Sequence, residues 1–111
     1  MLFRSQNRFS GEFYDLVISH ISDTDLSIEM LASEMKVSRT TLFNRIRTQT
    51  GVTPNLLIRR IRLEKAAELL RESDMRISEV YEQTGFVSWS YFSKLFREEF
   101  GVAPKDYCDK G

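Results

Sequence analysis

Residues 36–54 read KVSRTTLFNRIRTQTGVTP, and residues 85–104 read GFVSWSYFSKLFREEFGVAP. The second stretch restates the first. Leu42, Ile46, Arg47, Gly51, Val52 and Pro54 recur fifty positions later as Phe92, Phe96, Arg97, Gly101, Val102 and Pro104. Upstream the echo continues at an offset of forty-nine: Ile28, Leu31 and Val37 match Ile77, Val80 and Phe86, so the second copy has one extra residue in its turn. A repeat of this period is read first, because the fold is built from its unit. Each copy has apolar residues at helical spacing, a tight turn, and a second helical run that stops before a glycine. Helix, tight turn, helix is how a helix-turn-helix looks in sequence.

The chain has 111 residues, enough for one domain or for two very small ones that share a core. One copy alone, at roughly forty residues, is near the lower limit for independent folding, so a helix shared between copies is expected. Apolar residues make 41% of the chain and charged ones 29%, as in an ordinary soluble globular domain. Only two prolines occur, at the same point of each copy, which favours an all-α fold. No apolar run approaches the roughly twenty residues a membrane span needs. Arg4 and Arg8 interrupt any signal-peptide core at the start. The single cysteine, Cys108, excludes a disulfide framework and a cysteine-based metal site within one chain. A cytoplasmic location is expected.

Working outward from the repeat, residues 1–11 lack periodicity and read as a linker or N-terminal tail. A first helix is predicted from Glu12 to Ile21 on Phe13, Leu16, Val17 and Ile21, followed by turn chemistry at Ser22-Asp23-Thr24-Asp25. Ser27 caps the next helix, whose buried stripe is Ile28, Leu31, Ala32 and Met35. Lys36-Val37 makes the turn, and Ser38 caps a helix to about Gln49 with Leu42, Ile46 and Phe43 as inward candidates. Pro54 suits the first helical position after a Thr53 cap. The helix from Asn55 to Arg71 carries an apolar girdle too wide for a surface helix, which fits a central helix touching both repeats. Ile77 to Thr84, the turn Gly85-Phe86 and a helix opened by Ser88 or Trp89 form the second copy, with Tyr91, Phe92, Leu95, Phe96 and Phe100 mostly core. A short helix from Pro104 to Cys108 packs Tyr107 on the rest. The expected divisions are 12–53 and 72–108 for the two helix-turn-helix subdomains, 54–71 for the connecting helix, and 109–111 for a tail.

Net charge is zero, but its distribution is uneven. Residues 1–35 carry −4, residues 36–65 carry +7, and residues 66–111 carry −3. Lys36, Arg39, Arg45, Arg47, Arg59, Arg60, Arg62 and Lys65 stand in the middle segment against Glu64 alone. A basic segment between two acidic ones is an electrostatic footprint for nucleic acid.

No catalytic constellation is present: one histidine, no Gly-rich phosphate loop and no Cys/His metal spacing. Asp23 and Asp25 lack the remaining ligands of a calcium loop and read as a plain turn. No cofactor is expected. In a helix-turn-helix the second helix lies in the major groove with its N-terminal side chains at the base edges. Those positions are Arg39, Thr40, Thr41, Phe43 and Asn44 in the first copy, and Trp89, Ser90, Ser93 and Lys94 in the second. Asn suits adenine N6/N7, Arg suits guanine O6/N7, and an apolar or methyl group suits the thymine methyl. Lys36, Ser38, Arg45, Arg59 and Ser88 are candidates for phosphate contacts, which set register without reading sequence. Trp89 has a second reading as a core anchor.

The run GFVSWSYFSKLFREEFGVAPKDY resembles the signature of the AraC/XylS family of bacterial transcription regulators: GF, a few polar residues, YFS, Phe, G-x-x-P and a final aromatic. The first unit, LSIEMLASEMKVSRTTLFNRIRTQTGVTPNLLIRRIRLEKAAELL, is similar to the same family's N-terminal motif. The resemblance covers about residues 26–107. It implies two helix-turn-helix subdomains joined by a long helix, with two recognition helices in adjacent major-groove segments of double-stranded DNA, at a promoter direct repeat. By matching position, Thr40, Phe43 and Asn44 would approach bases in the first unit, and Trp89, Ser90 and Lys94 in the second. Two departures stand out: Tyr81 where the family usually has a small residue, and Thr84 where it has an aliphatic one. Tyr81 is expected to splay or repack the second unit. The chain also resembles the output domains of hybrid two-component sensor-regulators, which implies sensor or regulatory domains upstream and no membrane contact by this domain. The family further implies activation through RNA polymerase. The rival class is a protein–protein adaptor that keeps the fold without binding DNA.

Overall fold

The computed structural model describes residues 8–108, which form helices and no strands. The helices are α1 (Arg8–Ser19), α2 (Ile28–Glu34), α3 (Arg39–Thr50), α4 (Pro54–Glu72), α5 (Ile77–Gln83), α6 (Trp89–Phe100) and α7 (Pro104–Cys108). The all-α reading with two helix-turn-helix subdomains and a long helix between them holds. Two compact units form, residues 8–20 with 25–61, and residues 21–24 with 62–108.

In the first unit α1 packs on α2 and α3. Its core is Phe13 and Val17 of α1, Ile28, Leu31 and Ala32 of α2, Leu42 and Ile46 of α3, and Leu57, Ile58 and Ile61 of α4. In the second unit Leu63, Ala66, Ala67 and Leu70 of α4 meet Val80, Phe86, Phe92, Leu95 and Phe96. The wide girdle of α4 is thereby explained. Its first half supplies one core and its second half the other, over 19 residues or about 28 Å.

The first helix begins earlier than the periodicity suggested. Residues 8–11 belong to α1 and not to a linker. Ser10 is buried and Phe9 packs against the first core. Ser10 and Gly11 signal a break locally, but tertiary packing overrides that weak preference. The rest of the expected linker, residues 1–7, and the expected tail at 109–111 lie outside the described residues. The turn at Ile21–Thr24, placed by its sequence in the first subdomain, belongs to the second unit.

The two turns are built alike. Val37 N–H donates to the Ala32 carbonyl at 3.1 Å, and Phe86 N–H to the Tyr81 carbonyl at 3.0 Å. Lys36 N–H donates to the Ser33 carbonyl and Gly85 N–H to the Glu82 carbonyl, both at 3.1 Å. Both turn residues are left-handed, Lys36 at φ 60° and Gly85 at φ 85°. Only the second position demands glycine for space. A Cβ there would meet the Ile21 carbonyl oxygen and lie 2.8 Å from the Arg62 guanidinium carbon.

Serine opens each second helix. Ser38 Oγ accepts from Thr41 N–H at 3.0 Å, and Ser88 Oγ accepts from Tyr91 N–H at 3.1 Å. Left-handed Gly51 and Gly101 close the same helices, donating to the Arg47 and Arg97 carbonyls at 2.9 and 2.8 Å. Ser38→Ala removes an acceptor for one of the free N–H groups of α3. It is expected to lower stability by about 1 kcal/mol in a urea titration. An unchanged midpoint would mean that water replaces the cap at no cost.

Candidate nucleic-acid interface

Leu42 and Ile46 turn one face of α3 into the core, which leaves Thr40, Phe43 and Asn44 on the other at i, i+3 and i+4. Thr40 and Asn44 are exposed. Phe43 is 39% exposed, so it faces outward and is not one of the core residues of α3. Thr41 is half-buried, and its hydroxyl oxygen accepts from Ser38 Oγ at 3.0 Å, which places it at the edge of this face.

Two cations of the first unit are held by neighbours. Arg39 Nη1 lies 2.8 Å from Glu29 Oε2, linking the start of α3 to α2 in an exposed ion pair. The Arg45 guanidinium sits over the Phe9 ring, 4.9 Å from its centroid. Neither Glu29 nor Phe9 was marked by the sequence, since nothing in its spacing shows where a long side chain turns. Lys36, Ser38 and Arg59 are exposed.

The basic segment is less of a surface feature than its count of charges implies. Arg62 turns inward within the second unit: Nη2 donates to the Asp23 carbonyl at 2.7 Å and Nη1, at a long 3.4 Å, to the Gly85 carbonyl. Burial lowers the pKa of Arg62, and the charge of Asp23 raises it in opposition. Lys65 Nζ lies 3.4 Å from Glu68 Oε1. Arg62 is therefore a structural cation, and the outward-facing charge of residues 36–65 is concentrated before it.

In the second unit Phe92, Leu95 and Phe96 anchor α6, and Trp89, Ser90 and Lys94 are exposed. Ser93 is half-buried and Ser88 exposed. Tyr91, expected in the core, is 49% exposed. It lies beside Phe86, with centroids 6.5 Å apart, at the margin of the helix. Trp89 divides its two readings: 43% of it is exposed, while its ring tilts against Tyr81 and Phe92 at 5.9 and 6.0 Å. Val87, the extra residue of the second turn, is 74% exposed.

Tyr81 does not splay the second unit. Its ring stacks on Phe92 at 5.8 Å and 24°, and its carbonyl keeps the turn hydrogen bond that Ala32 makes in the first unit. Thr84 fills an aliphatic position fully buried, because its hydroxyl donates at 2.8 Å to the carbonyl of Val80 in α5, the helix that Thr84 follows.

Among the described residues no group of three or more His, Cys, Asp or Glu stands ready for a metal ion. No helix among them is long and apolar enough to cross a membrane.

A helix-turn-helix domain family matches residues 31–110. Histidine kinase P4 of Formosa agariphila is 39% identical over 97 residues, 87% of this chain and 7% of the kinase. Other curated relatives are matched over 28–31% of their length. Among solved structures, the C-terminal domain of AraT, a response regulator from Geobacillus stearothermophilus, is 33% identical with a TM-score of 0.81. That match covers 90% of this chain and 83% of the AraT chain. The DNA-binding domain of AdpA, a global transcriptional factor solved in complex with a target DNA, is 29% identical with a TM-score of 0.80, covering 89% of this chain and 88% of its own. The paired helix-turn-helix units, the double sequence motif and these likenesses agree: the chain belongs to the AraC/XylS type of helix-turn-helix domain.

Proposed function

We infer that this chain is the sequence-specific double-stranded DNA-binding domain of a bacterial transcription regulator. The observation that carries the reading is the repeated unit itself. Each copy buries one face of a serine-capped helix and turns outward the residue types that read base edges. The likeness to the AdpA domain, solved on its target DNA, supports it.

In this reading α3 and α6 enter adjacent major-groove segments of a direct repeat. Asn44 pairs with adenine, Thr40 and Phe43 contact neighbouring base edges, and Arg39 exchanges Glu29 for guanine or stays beside it as a guide. Thr41 and Ser93 sit at the edges of the reading faces. Lys36, Ser38, Arg45, Arg59 and Ser88 hold phosphates. The likeness to part of a histidine kinase supports a cytoplasmic output role for this domain, downstream of sensor domains in a longer chain. Contact with RNA polymerase completes the proposal for activation.

Two substitutions test it in a gel-shift titration at two salt concentrations. Asn44→Ala is expected to cost about 1–3 kcal/mol on a selected operator and to relax one base position. Arg59→Ala is expected to weaken all duplexes alike and to reduce the salt slope by about one. Equal, uniform losses from both would remove the distinction between reader and anchor. No salt-sensitive binding to any duplex would overturn the reading as a whole.

A further inference from the structure

The second recognition helix presents an apolar entrance where the first presents a polar one. Fifty positions separate the two frames, so Trp89 stands where Arg39 stands in α3. Val87 is the residue added to the turn just before the Ser88 cap, and Tyr91 follows in the first turn of α6; with Trp89 they are three of the five large hydrophobic residues left exposed among those described. Lys94 is the cation of this reading face, and residues 66–111 carry a net charge of −3. Phosphate attraction is therefore weaker here than in the first unit, so contacts to base edges carry a larger share of the binding.

Trp89 is also held in place. Tyr81 fills the space on its α5 side, tilted at 56° with centroids 5.9 Å apart, and stacks at the same time on buried Phe92. Trp89 tilts against Phe92 as well, at 6.0 Å. A small residue at position 81 would remove this support. Trp89 keeps 43% of its surface exposed, at the N-terminal end of a helix assigned to the major groove, and most of an indole is apolar. The one apolar group on the major-groove floor is the C5-methyl of thymine.

We propose that the second unit reads thymine methyl groups through Trp89, with Tyr81 as the positioning residue that fixes the indole. The proposal rests on the DNA-binding reading above and names what its second half-site contains: thymines, recognised by their methyls and not by hydrogen bonds. The first half-site, read by Thr40, Phe43 and Asn44, is a separate contact.

The test uses the 111-residue chain and a duplex enriched from a random pool. Thymines are replaced by deoxyuridine in one block of the site at a time, which deletes the methyl and keeps every hydrogen-bonding group. Affinity read by fluorescence anisotropy is expected to fall about fourfold for each contacted thymine in one block, the factor that burying one methyl-sized group supplies. In Trp89→Ala the thymine and deoxyuridine duplexes should bind equally in that block. Tyr81→Ala should narrow the ratio and Tyr81→Phe should restore it, since only the ring supports the indole. A merely structural role for Tyr81 would lower affinity for both duplexes and leave their ratio intact.

If the wild-type chain binds thymine and deoxyuridine duplexes equally in both blocks, the proposal is wrong while the DNA-binding function stands. A ratio that survives Trp89→Ala also overturns it and leaves the exposed aromatics to a protein partner. If no duplex is enriched at all, the functional reading fails first. Should Trp89→Ala not fold, Trp89→Gln takes its place and is expected to close the ratio in the same way, because the wild-type ratio shows that a methyl is read and not which residue reads it.

Discussion

Phe92→Ala is expected to remove a large part of the stability of the second unit. The ring is fully buried and touches four others, with centroids at 5.0 Å from Phe86, 5.6 Å from Phe96, 5.8 Å from Tyr81 and 6.0 Å from Trp89. Truncation loses the transfer free energy of the ring and leaves a cavity that stiff aromatic neighbours fill poorly, at about 3–5 kcal/mol. A chain of this size has about 5–15 kcal/mol in all. A urea titration followed by tryptophan fluorescence measures the loss, because Trp89 rests against the same ring. The corresponding Leu42→Ala is also expected to destabilise, but Leu42 lies in the other core, and its effect should be weaker on the tryptophan signal. A loss under about 1 kcal/mol for Phe92→Ala would mean that the aromatic cluster closes over the gap, contrary to the behaviour of packed cores.

Gly85→Ala is the second large effect, and the chain contains its own control. Gly51, Gly85 and Gly101 have nearly the same backbone, at φ 83°, 85° and 80°. Alanine at any of them incurs left-handed strain of about 1–2 kcal/mol. A Cβ at Gly51 or Gly101 meets nothing within 4 Å, while one at Gly85 meets the Ile21 carbonyl and the Arg62 side chain. Relief requires shifting the Ile21 backbone as well as Arg62, whose guanidinium holds the Asp23 carbonyl. Overpacking adds about 1–3 kcal/mol. The expected order in thermal melts is Gly85→Ala well below Gly51→Ala. Equal melting temperatures would show that the Ile21 backbone and Arg62 both give way without cost. Lys36 shows the same logic in reverse: it takes a left-handed conformation in the first unit with its side chain exposed.

Much of this architecture was legible because local signals and packing agree. Serine caps at 27 and 38, the glycines after α3 and α6, and the girdle of α4 each point to one arrangement, and the repeat states it twice. The start of α1 was hidden because Ser10 and Gly11 look like a break, although burial against the first core outweighs their preferences. Tyr91 was hidden because an aromatic residue inside a run of aromatics reads as core, yet its place in the first turn of α6 leaves it half-exposed. The outward face of α3 was legible by helical spacing. What its long side chains do was not. Arg39 goes to Glu29, Arg45 to Phe9 and Arg62 inward, and no one-dimensional pattern records the direction of a flexible arginine.

The four residues Ile21–Thr24 sit far from α6 in the chain and yet complete the second unit, where the Asp23 carbonyl receives Arg62 and the Ile21 carbonyl abuts Gly85. The module is thus discontinuous. A gene fragment opening at Pro54 encodes every helix of the second repeat but omits the peptide that caps its one inward-turned arginine. Such a fragment would leave Arg62 to water in place of the Asp23 carbonyl, and the Gly85 turn without the backbone that lies against it. Chimaeras that join the first repeat of one relative to the second repeat of another would therefore part residues 21–24 from the unit they complete.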